Sequence, residues 1–148
     1  MLTLTSPAIA GSKELAQKYG KKSDNVSPPL AWKAGQVGTK SFALSLVDKH
    51  PVARGYVHWL VVDIDPDVTS LDEGAAQMMP ARARQLTPYA GPFPPSGTHV
   101  YEFTVYALDV ATLDLPAGVG LEGFTAAVHK HFLSSATLLF RFTKAQAA

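Results

Sequence analysis

The sequence predicts a mainly β fold, and two features carry this prediction. The chain of 148 residues contains 11 Gly and 11 Pro, which are scattered between short apolar runs without an internal repeat. Three of these runs are rich in β-branched or aromatic residues and predict strands at Ser41–Asp48, Val57–Ile64 and residues 99–108. Several runs are apolar on both faces, which indicates that a second sheet or a helix covers the outer face.

Weaker patterns predict the strands at the two ends of the chain. A first strand is expected at residues 2–5 and a closing strand at residues 138–142. Between them, residues 69–95 contain charges and several prolines, and we expect a loop there that is longer than loops usually are in compact domains. Loops of that length are often functional.

Two short helices complete the predicted elements. Ser12 is a candidate N-cap for a helix over residues 13–19. A second helix is predicted over residues 124–133, because apolar side chains recur at helical spacing at Phe124, Val128 and Phe132. The length of the chain fits one ordinary domain, and we therefore predict a single domain over residues 1–148.

Composition excludes several classes of protein. The chain has no cysteine, so it can form neither a disulfide scaffold nor a thiolate metal site. Its 47% hydrophobic and 17% charged residues argue against disorder, and a net charge of +1 offers no broad basic field for nucleic acid. No apolar run approaches the roughly 18 residues that span a bilayer. Ala8-Ile9-Ala10 resembles a signal-peptidase site, but no charged region precedes it and Pro7 interrupts a very short apolar run, so we expect no signal peptide. We expect a protein without transmembrane segments and with a cytoplasmic location.

Polar residues end the apolar rows of the three best-defined strands. With period-two alternation, Asp48 ends one row, His58 begins the next, and His99 and Tyr101 begin the third. The apolar members of these rows are, in turn, Phe42, Leu44 and Leu46; Leu60, Val62 and Ile64; and Phe103 and Val105. If the strands pair antiparallel, the four polar side chains meet at one rim of the sheet.

Such a cluster is suited to binding an anion. A carboxylate beside an imidazole fixes its tautomer, while a second imidazole and a phenol supply further donors to a phosphate-like oxygen. The neighbouring segment, residues 91–97, is stiffened by prolines and can hold its shape without a bound ligand. The alternative, a buried histidine that is merely hydrogen-bonded within the fold, stays open for each ring taken alone.

The motifs together closely resemble the phosphatidylethanolamine-binding protein family, in particular its compact bacterial and archaeal Raf-kinase-inhibitor-like branch. The likeness runs from about residue 2 to residue 143 and includes NVSPPLAW at residues 25–32, SFALSLVD at Ser41–Asp48, the pair His58-Trp59 and GPFPPSG at residues 91–97. It implies an antiparallel β-sandwich with a few short peripheral helices and a small cavity at one end that accepts phosphate, acetate or headgroup-like anions. The positions corresponding to the cavity lining are Asp48, His58, Pro94, Pro95, His99 and Tyr101.

The chain departs from the family pattern at several positions near this cavity. The family's first signature carries a second acidic residue where this sequence has His50, and its later signature carries an arginine where this sequence has Val100. Tyr56 and Val57 stand where larger aromatic pairs are common. An ion pair at position 100 is therefore absent, and the role of position 50 is open.

The leading functional prediction is a noncatalytic protein, without a cofactor, that binds a small anion, a phosphate monoester or a phospholipid headgroup. One alternative is a hydrolase acting on a phosphoester with a metal ion or with its histidines and aspartate, although no HExxH, GxSxG or P-loop motif is present. Another is an interaction module of the kinase-inhibitor kind, for which Arg82 and Arg84 could face an acidic partner. The low charge content also makes a homodimer plausible.

Overall fold

The computed structural model describes residues 2–9, 13–33 and 36–145 and contains two antiparallel sheets. The strands are β1 (Thr3–Thr5), β2 (Leu30–Lys33), β3 (Ser41–Asp48), β4 (Val57–Ile64), β5 (Ser70–Leu71), β6 (Arg84–Thr87), β7 (Thr98–Leu108) and β8 (Phe132–Thr143). Within the described ranges, the α-helix is α1 (Leu121–Lys130), and short 3-10 turns occupy Gln17–Tyr19, Pro51–Ala53 and Ala75–Gln77. The prediction of a mainly β, antiparallel fold is confirmed.

The larger sheet has the order β6-β4-β3-β7-β8 and the smaller one the order β1-β2-β5. The main core lies between them, with Leu4 and Trp32 from the small sheet packed in one cluster with Phe42, Leu44 and Phe103 from the large sheet. Burial of these side chains is the main driving force that joins the sheets into a sandwich.

A second, smaller core covers the outer face of the large sheet. Phe124 and Val128 of α1 pack with Ala43, Leu60 and Val62 of the sheet. The strands that are apolar on both faces predicted that a second sheet or a helix covers the outer face, and both are present. One face of the large sheet packs against the small sheet, and part of the other face packs against the helix.

The patterns with the strongest periodicity predicted their elements well. β3 and β4 have the predicted bounds, β7 begins one residue earlier than predicted, and β1 falls within residues 2–5. The segment at 69–95 is not one continuous loop, because it contains β5, β6 and the turn at Ala75–Gln77. These strands and β2 have only 2 to 4 residues each, too few for a period-two pattern to be read from the sequence.

The second predicted helix was placed too far along the chain. α1 ends at Lys130, and Phe132, predicted to be an inner residue of the helix, begins β8 and is 45% exposed. β8 is 12 residues long rather than the predicted five, because it pairs along the whole of β7, from Thr98 opposite Thr143 to Leu108 opposite Phe132. The cross-strand hydrogen bonds along this length stabilise a strand more than the helical spacing of three apolar residues stabilises a helix.

The first predicted helix is reduced to the turn at Gln17–Tyr19. Its proposed N-cap, Ser12, lies outside the described residues. Lys13 has a φ of 64°, and the backbone N–H of Leu15 donates to the carbonyl of Arg141 at 2.8 Å. This segment therefore runs beside β8 instead of coiling into a helix.

Candidate functional site

A bulge in β4 brings His58 to the inner face of the large sheet. Leu46 of β3 pairs with Trp59, but the next residue, Val47, pairs with Val57, so His58 is an extra residue in β4. A bulge of this kind bends its strand and re-aims a side chain. Val57 packs in the smaller core under α1, and Trp59 packs in the main core between the sheets. His58, the extra residue between them, turns to the same side as Trp59.

The orientation predicted for the row that begins with His58 is therefore wrong. Strict alternation gave His58 the same face as Leu60, Val62 and Ile64. Leu60 and Val62 belong to the outer core under α1, whereas Ile64 belongs to the core between the sheets after a second register shift. The His58 ring lies against Tyr101 on the inner side, with 5.3 Å between ring centroids.

Asp48 and His99 form a buried pair at the ends of β3 and β7. His99 Nδ1 donates to Asp48 Oδ2 at 2.7 Å, and the two side chains are only 3% and 5% exposed. The other carboxylate oxygen, Oδ1, accepts from the backbone N–H of His50 at 2.8 Å. Because a carboxylate can only accept, the proton of the bond to Asp48 lies on Nδ1 of His99, and Nε2 is the nitrogen left for a ligand.

His58 is fixed by a backbone carbonyl. Its Nδ1 donates to the carbonyl of Ala90 at 2.6 Å, since a carbonyl can only accept. Burial lowers the pKa of His58, although the Ala90 carbonyl and the charge of Asp48 partly oppose this effect. The ring is therefore neutral near pH 7, and its Nε2 carries a lone pair.

Tyr101 lies behind the two histidines. Its ring stacks on Phe140, with centroids 5.2 Å apart, and it is fully buried. Its hydroxyl has no hydrogen-bond partner among the described residues. Burial, with the nearby charge of Asp48, raises the pKa of the Tyr101 phenol, so it remains protonated.

A small recess opens above these residues. It has a volume of about 260 Å³ and is lined by Asp48, Val52, Ala53, Tyr56, His58, Phe93, Pro94, Pro95 and His99. Five of the residues singled out from the sequence, Asp48, His58, Pro94, Pro95 and His99, thus share one recess. Tyr101 does not line it and packs beneath.

The fold adds aromatic and basic side chains that were not assigned to the site from the sequence. Tyr56 and Phe93 both meet the His58 ring edge to face, with centroids 4.8 and 5.5 Å away. The Lys21 ammonium lies 4.6 Å from the centre of the Phe93 ring. His50 stacks on His99. Lys21 had no local signal, because it reaches the site from a segment that is remote in sequence.

The proline-rich wall of the recess is held by the N-terminal segment. The backbone N–H of Gly91 donates to Asn25 Oδ1 at 2.7 Å, and the N–H of Lys21 donates to the carbonyl of Pro92 at 3.1 Å. A Cβ atom on Gly91 would lie 2.0 Å from the carbonyl oxygen of Tyr19, so no larger residue fits there. The wall is thus in place before any ligand arrives.

The described part of the chain contains no group of three or more His, Cys, Asp or Glu side chains placed to hold a metal ion. The triad of two histidines and one aspartate considered for a metal-dependent hydrolase is therefore not formed by these residues. The same part of the chain has no helix long and apolar enough to cross a membrane.

An antiparallel sandwich with a small histidine-lined recess at the ends of its central strands defines a ligand-binding class of protein. The family model for phosphatidylethanolamine-binding proteins matches residues 5–143, and the chain belongs to this family. This confirms the resemblance seen in the sequence motifs.

Bacterial and archaeal relatives cover most of the chain. A UPF0098 protein of Methanothermobacter thermautotrophicus is 34% identical over 93% of this chain and 96% of its own length. The UPF0098 protein YbhB of Escherichia coli is 38% identical over 84% of this chain and 85% of its own length. These matches support the bacterial and archaeal branch of the family.

Solved structures share the fold. The crystal structure of Escherichia coli YbcL, described as a member of the mammalian PEBP family, superposes with a TM-score of 0.87 at 25% identity and covers 98% of this chain and 99% of that one. A PEBP homologue from Chlamydia trachomatis has a TM-score of 0.81 at 30% identity and covers 99% and 98% of the two chains.

Proposed function

We propose that the protein is a noncatalytic binding protein whose recess holds a small phosphate-type anion, either a phosphate monoester or the phosphate of a lipid headgroup. One observation carries this proposal. His58 and His99 line the same recess, and each has its Nδ1 engaged within the protein, at 2.6 and 2.7 Å, so that Nε2 is the nitrogen left for a ligand.

Charge around the recess also favours an anion. The carboxylate of Asp48 is occupied by His99 and by the backbone of His50, and the ammonium of Lys21 lies over Phe93 in the wall. A proton on Nε2 of either imidazole converts this atom from an acceptor into a charged donor. Anion binding is therefore coupled to proton uptake, and it should strengthen at slightly acid pH.

The lining residues favour binding over covalent chemistry. An Asp–His pair activates a nucleophile when a serine, threonine or cysteine side chain lies within hydrogen-bond reach of the imidazole. The described lining of the recess has no such residue; apart from Asp48, His58 and His99 it is made of apolar side chains, prolines and Tyr56.

Thermal unfolding tests the proposal. Millimolar phosphate should raise the melting temperature of the wild-type protein, more at pH 6 than at pH 8, because a ligand that binds the native state stabilises it by mass action. Sulfate, whose charge is constant over this range, should show the same trend and so separates titration of the protein from titration of phosphate.

His99→Ala should abolish the shift in melting temperature. His131→Ala is the matched control, since it removes a histidine that pairs with Asp109 at 3.0 Å on the surface. Unchanged melting temperatures of the wild type across phosphate, sulfate and simple phosphate esters would overturn the proposal.

The finer expectations of a homodimer, a cytoplasmic location and a kinase-inhibitor-like partner remain predictions. For the dimer, the outer face of β7 and β8 offers Val100, 39% exposed, and Leu139, 44% exposed. They are diagonal neighbours, because Val100 pairs with Arg141 and Glu102 with Leu139. Light scattering of the wild type and of Leu139→Lys tests whether a dimer forms through this face.

A further inference from the structure

His99 has the surroundings of an activated imidazole. Its Nδ1 donates to the buried carboxylate of Asp48 at 2.7 Å, and the His50 ring covers one of its faces. These two contacts fix both the tautomer and the orientation of the ring. The ring also lines the recess, so Nε2 is the nitrogen that a ligand there can meet, with a lone pair whenever the ring is neutral.

The carboxylate of Asp48 makes Nε2 of His99 a better nucleophile. When Nε2 forms a bond to an electrophile, the ring becomes an imidazolium that keeps its proton on Nδ1, and Asp48 stabilises that positive charge. The carbonyl of Ala90, which holds His58 by the same nitrogen, carries no full charge and stabilises an imidazolium less. Of the two histidines in the recess, His99 is therefore the stronger nucleophile.

The rest of the recess leaves the reaction to the imidazole. Its described lining has no serine, threonine or cysteine, and the phenol of Tyr56 is a poor nucleophile while it is protonated. Apolar side chains and prolines, among them Val52 and Phe93, surround the remaining space of about 260 Å³. Such a lining keeps water from a covalent adduct and slows its hydrolysis.

We propose that Nε2 of His99 accepts the phosphoryl group of a small acyl phosphate and becomes a phosphohistidine. The Nε2–P bond forms, the bond from phosphorus to the acyl oxygen breaks, and the carboxylate leaves with the electron pair. The proton on Nδ1 stays there, hydrogen-bonded to Asp48. The alkoxide of a simple phosphate ester is a poor leaving group, so such esters bind without reacting.

This inference rests on the proposed function, because the phosphoryl group has to occupy the recess first. It goes beyond that function, since it adds a covalent transfer that takes place once per chain, without turnover. The chemical class of the donor follows from the leaving group: the carboxylate of an acyl phosphate departs as a stable anion and needs no proton from the recess.

His131 provides a control within the same chain. Its Nδ1 pairs with Asp109 at 3.0 Å, but these two side chains are 37% and 51% exposed, and neither lines the recess. Activation by a neighbouring carboxylate alone should therefore appear at His131 as well as at His99. Activation that also requires the recess should appear at His99 only.

Reaction with acetyl phosphate at pH 8, followed by mass spectrometry of the intact protein and of its peptides, tests the proposal. We expect one phosphoryl group on His99, gained at least about tenfold faster than on His131, because the recess positions the donor. The group should be lost in acid and retained in alkali, as expected for phosphorus on an imidazole nitrogen. His99→Gln should remove the adduct, and His131→Gln should leave it unchanged.

Inorganic phosphate provides a test that needs no variant, should His99→Gln fail to fold. By occupying the recess it should slow the reaction of His99 with acetyl phosphate, while His131 reacts at the same rate as before. Modification of His99 that phosphate does not slow would overturn the inference, because the donor would then react from outside the recess.

The outcomes separate the two proposals. If phosphate raises the melting temperature but His99 gains no phosphoryl group, or gains it no faster than His131, this inference is overturned and the proposed function stands. A phosphoryl group on His58 instead of His99 also overturns the inference. If phosphate leaves the melting temperature unchanged and acetyl phosphate leaves His99 unmodified, both proposals fall.

Discussion

The imidazole rings of His50 and His99 stack in parallel, with centroids 3.9 Å apart and an angle of 10° between the planes. His50 stands where the family pattern has a second acidic residue. Its Nδ1 accepts the backbone N–H of Val52 at 3.1 Å, which fixes the ring above His99. Position 50 therefore places an aromatic ring over His99. An acidic residue there would instead place a carboxylate that can pair with an amine on a ligand.

We predict that an amine on the ligand does not strengthen its binding to this protein. Phosphoethanolamine should bind no more tightly than ethyl phosphate, because both oxygens of Asp48 are already hydrogen-bonded. His50→Asp should shift the ratio about fivefold in favour of phosphoethanolamine, the size expected for one partly solvated ion pair. Calorimetry measures both affinities, and His50→Asn separates the effect of the charge from the loss of the ring. A ratio that is the same in all three proteins would contradict the prediction.

Asp48→Asn should destabilise the fold by about 2 kcal/mol, because the buried carboxylate loses its charge-assisted hydrogen bonds to His99 Nδ1 and to the backbone N–H of His50. Urea unfolding measures the change in the free energy of unfolding. Asp109→Asn removes the acidic partner of a surface histidine, His131, and should change it by no more than about 0.5 kcal/mol. Equal effects of the two substitutions would show that the buried pair contributes no more than the surface pair.

The pKa of His58 predicts a loss of stability in acid. Burial lowers this pKa in the folded state, so the unfolded chain takes up a proton first as the pH falls below about 6.5. The free energy of unfolding should therefore decline from that pH toward the lowered pKa, with Asp48 and Lys21 as the charged neighbours that modulate it. Urea unfolding between pH 7.5 and 5.5 should show a smaller decline for His58→Asn. If the free energy of unfolding falls equally with pH in the wild type and in His58→Asn, the loss of stability does not come from His58.

Gly91→Ala should disrupt the wall of the recess. The added Cβ would meet backbone atoms of Tyr19, Lys21 and Gly20 at 2.0, 2.9 and 3.0 Å, none of which can move independently. We expect the free energy of unfolding to fall by more than about 2 kcal/mol, and the rise in melting temperature that phosphate causes to be lost. Gly120→Ala is the control, because no atom lies within 4 Å of its added Cβ and its φ is −79°. Melting temperatures that are equally close to the wild type for both variants would show that the wall tolerates a side chain.

The strands with long apolar patterns could be predicted from the sequence. β3 and β4 have 8 residues each, enough for alternation and β-branched content to define both ends. β5, with 2 residues, and β6, with 4, carry too little periodicity, and they form because neighbouring strands satisfy their backbone groups. The same competition turned Phe132 from a predicted helix residue into the first residue of β8.

Local sequence patterns were enough to find the polar residues at the ends of the central strands, namely Asp48, His58, His99 and Tyr101, and the proline-rich segment beside them. These features are local, so periodicity and spacing reveal them. Three features of the site appear only in the folded chain: a bulge turns His58 inward, Tyr101 packs beneath the recess, and Lys21 and Asn25 contact its wall. Those outcomes depend on the register of whole strands and on packing between residues far apart in the chain, where the energy of a local pattern is small compared with that of the assembled core.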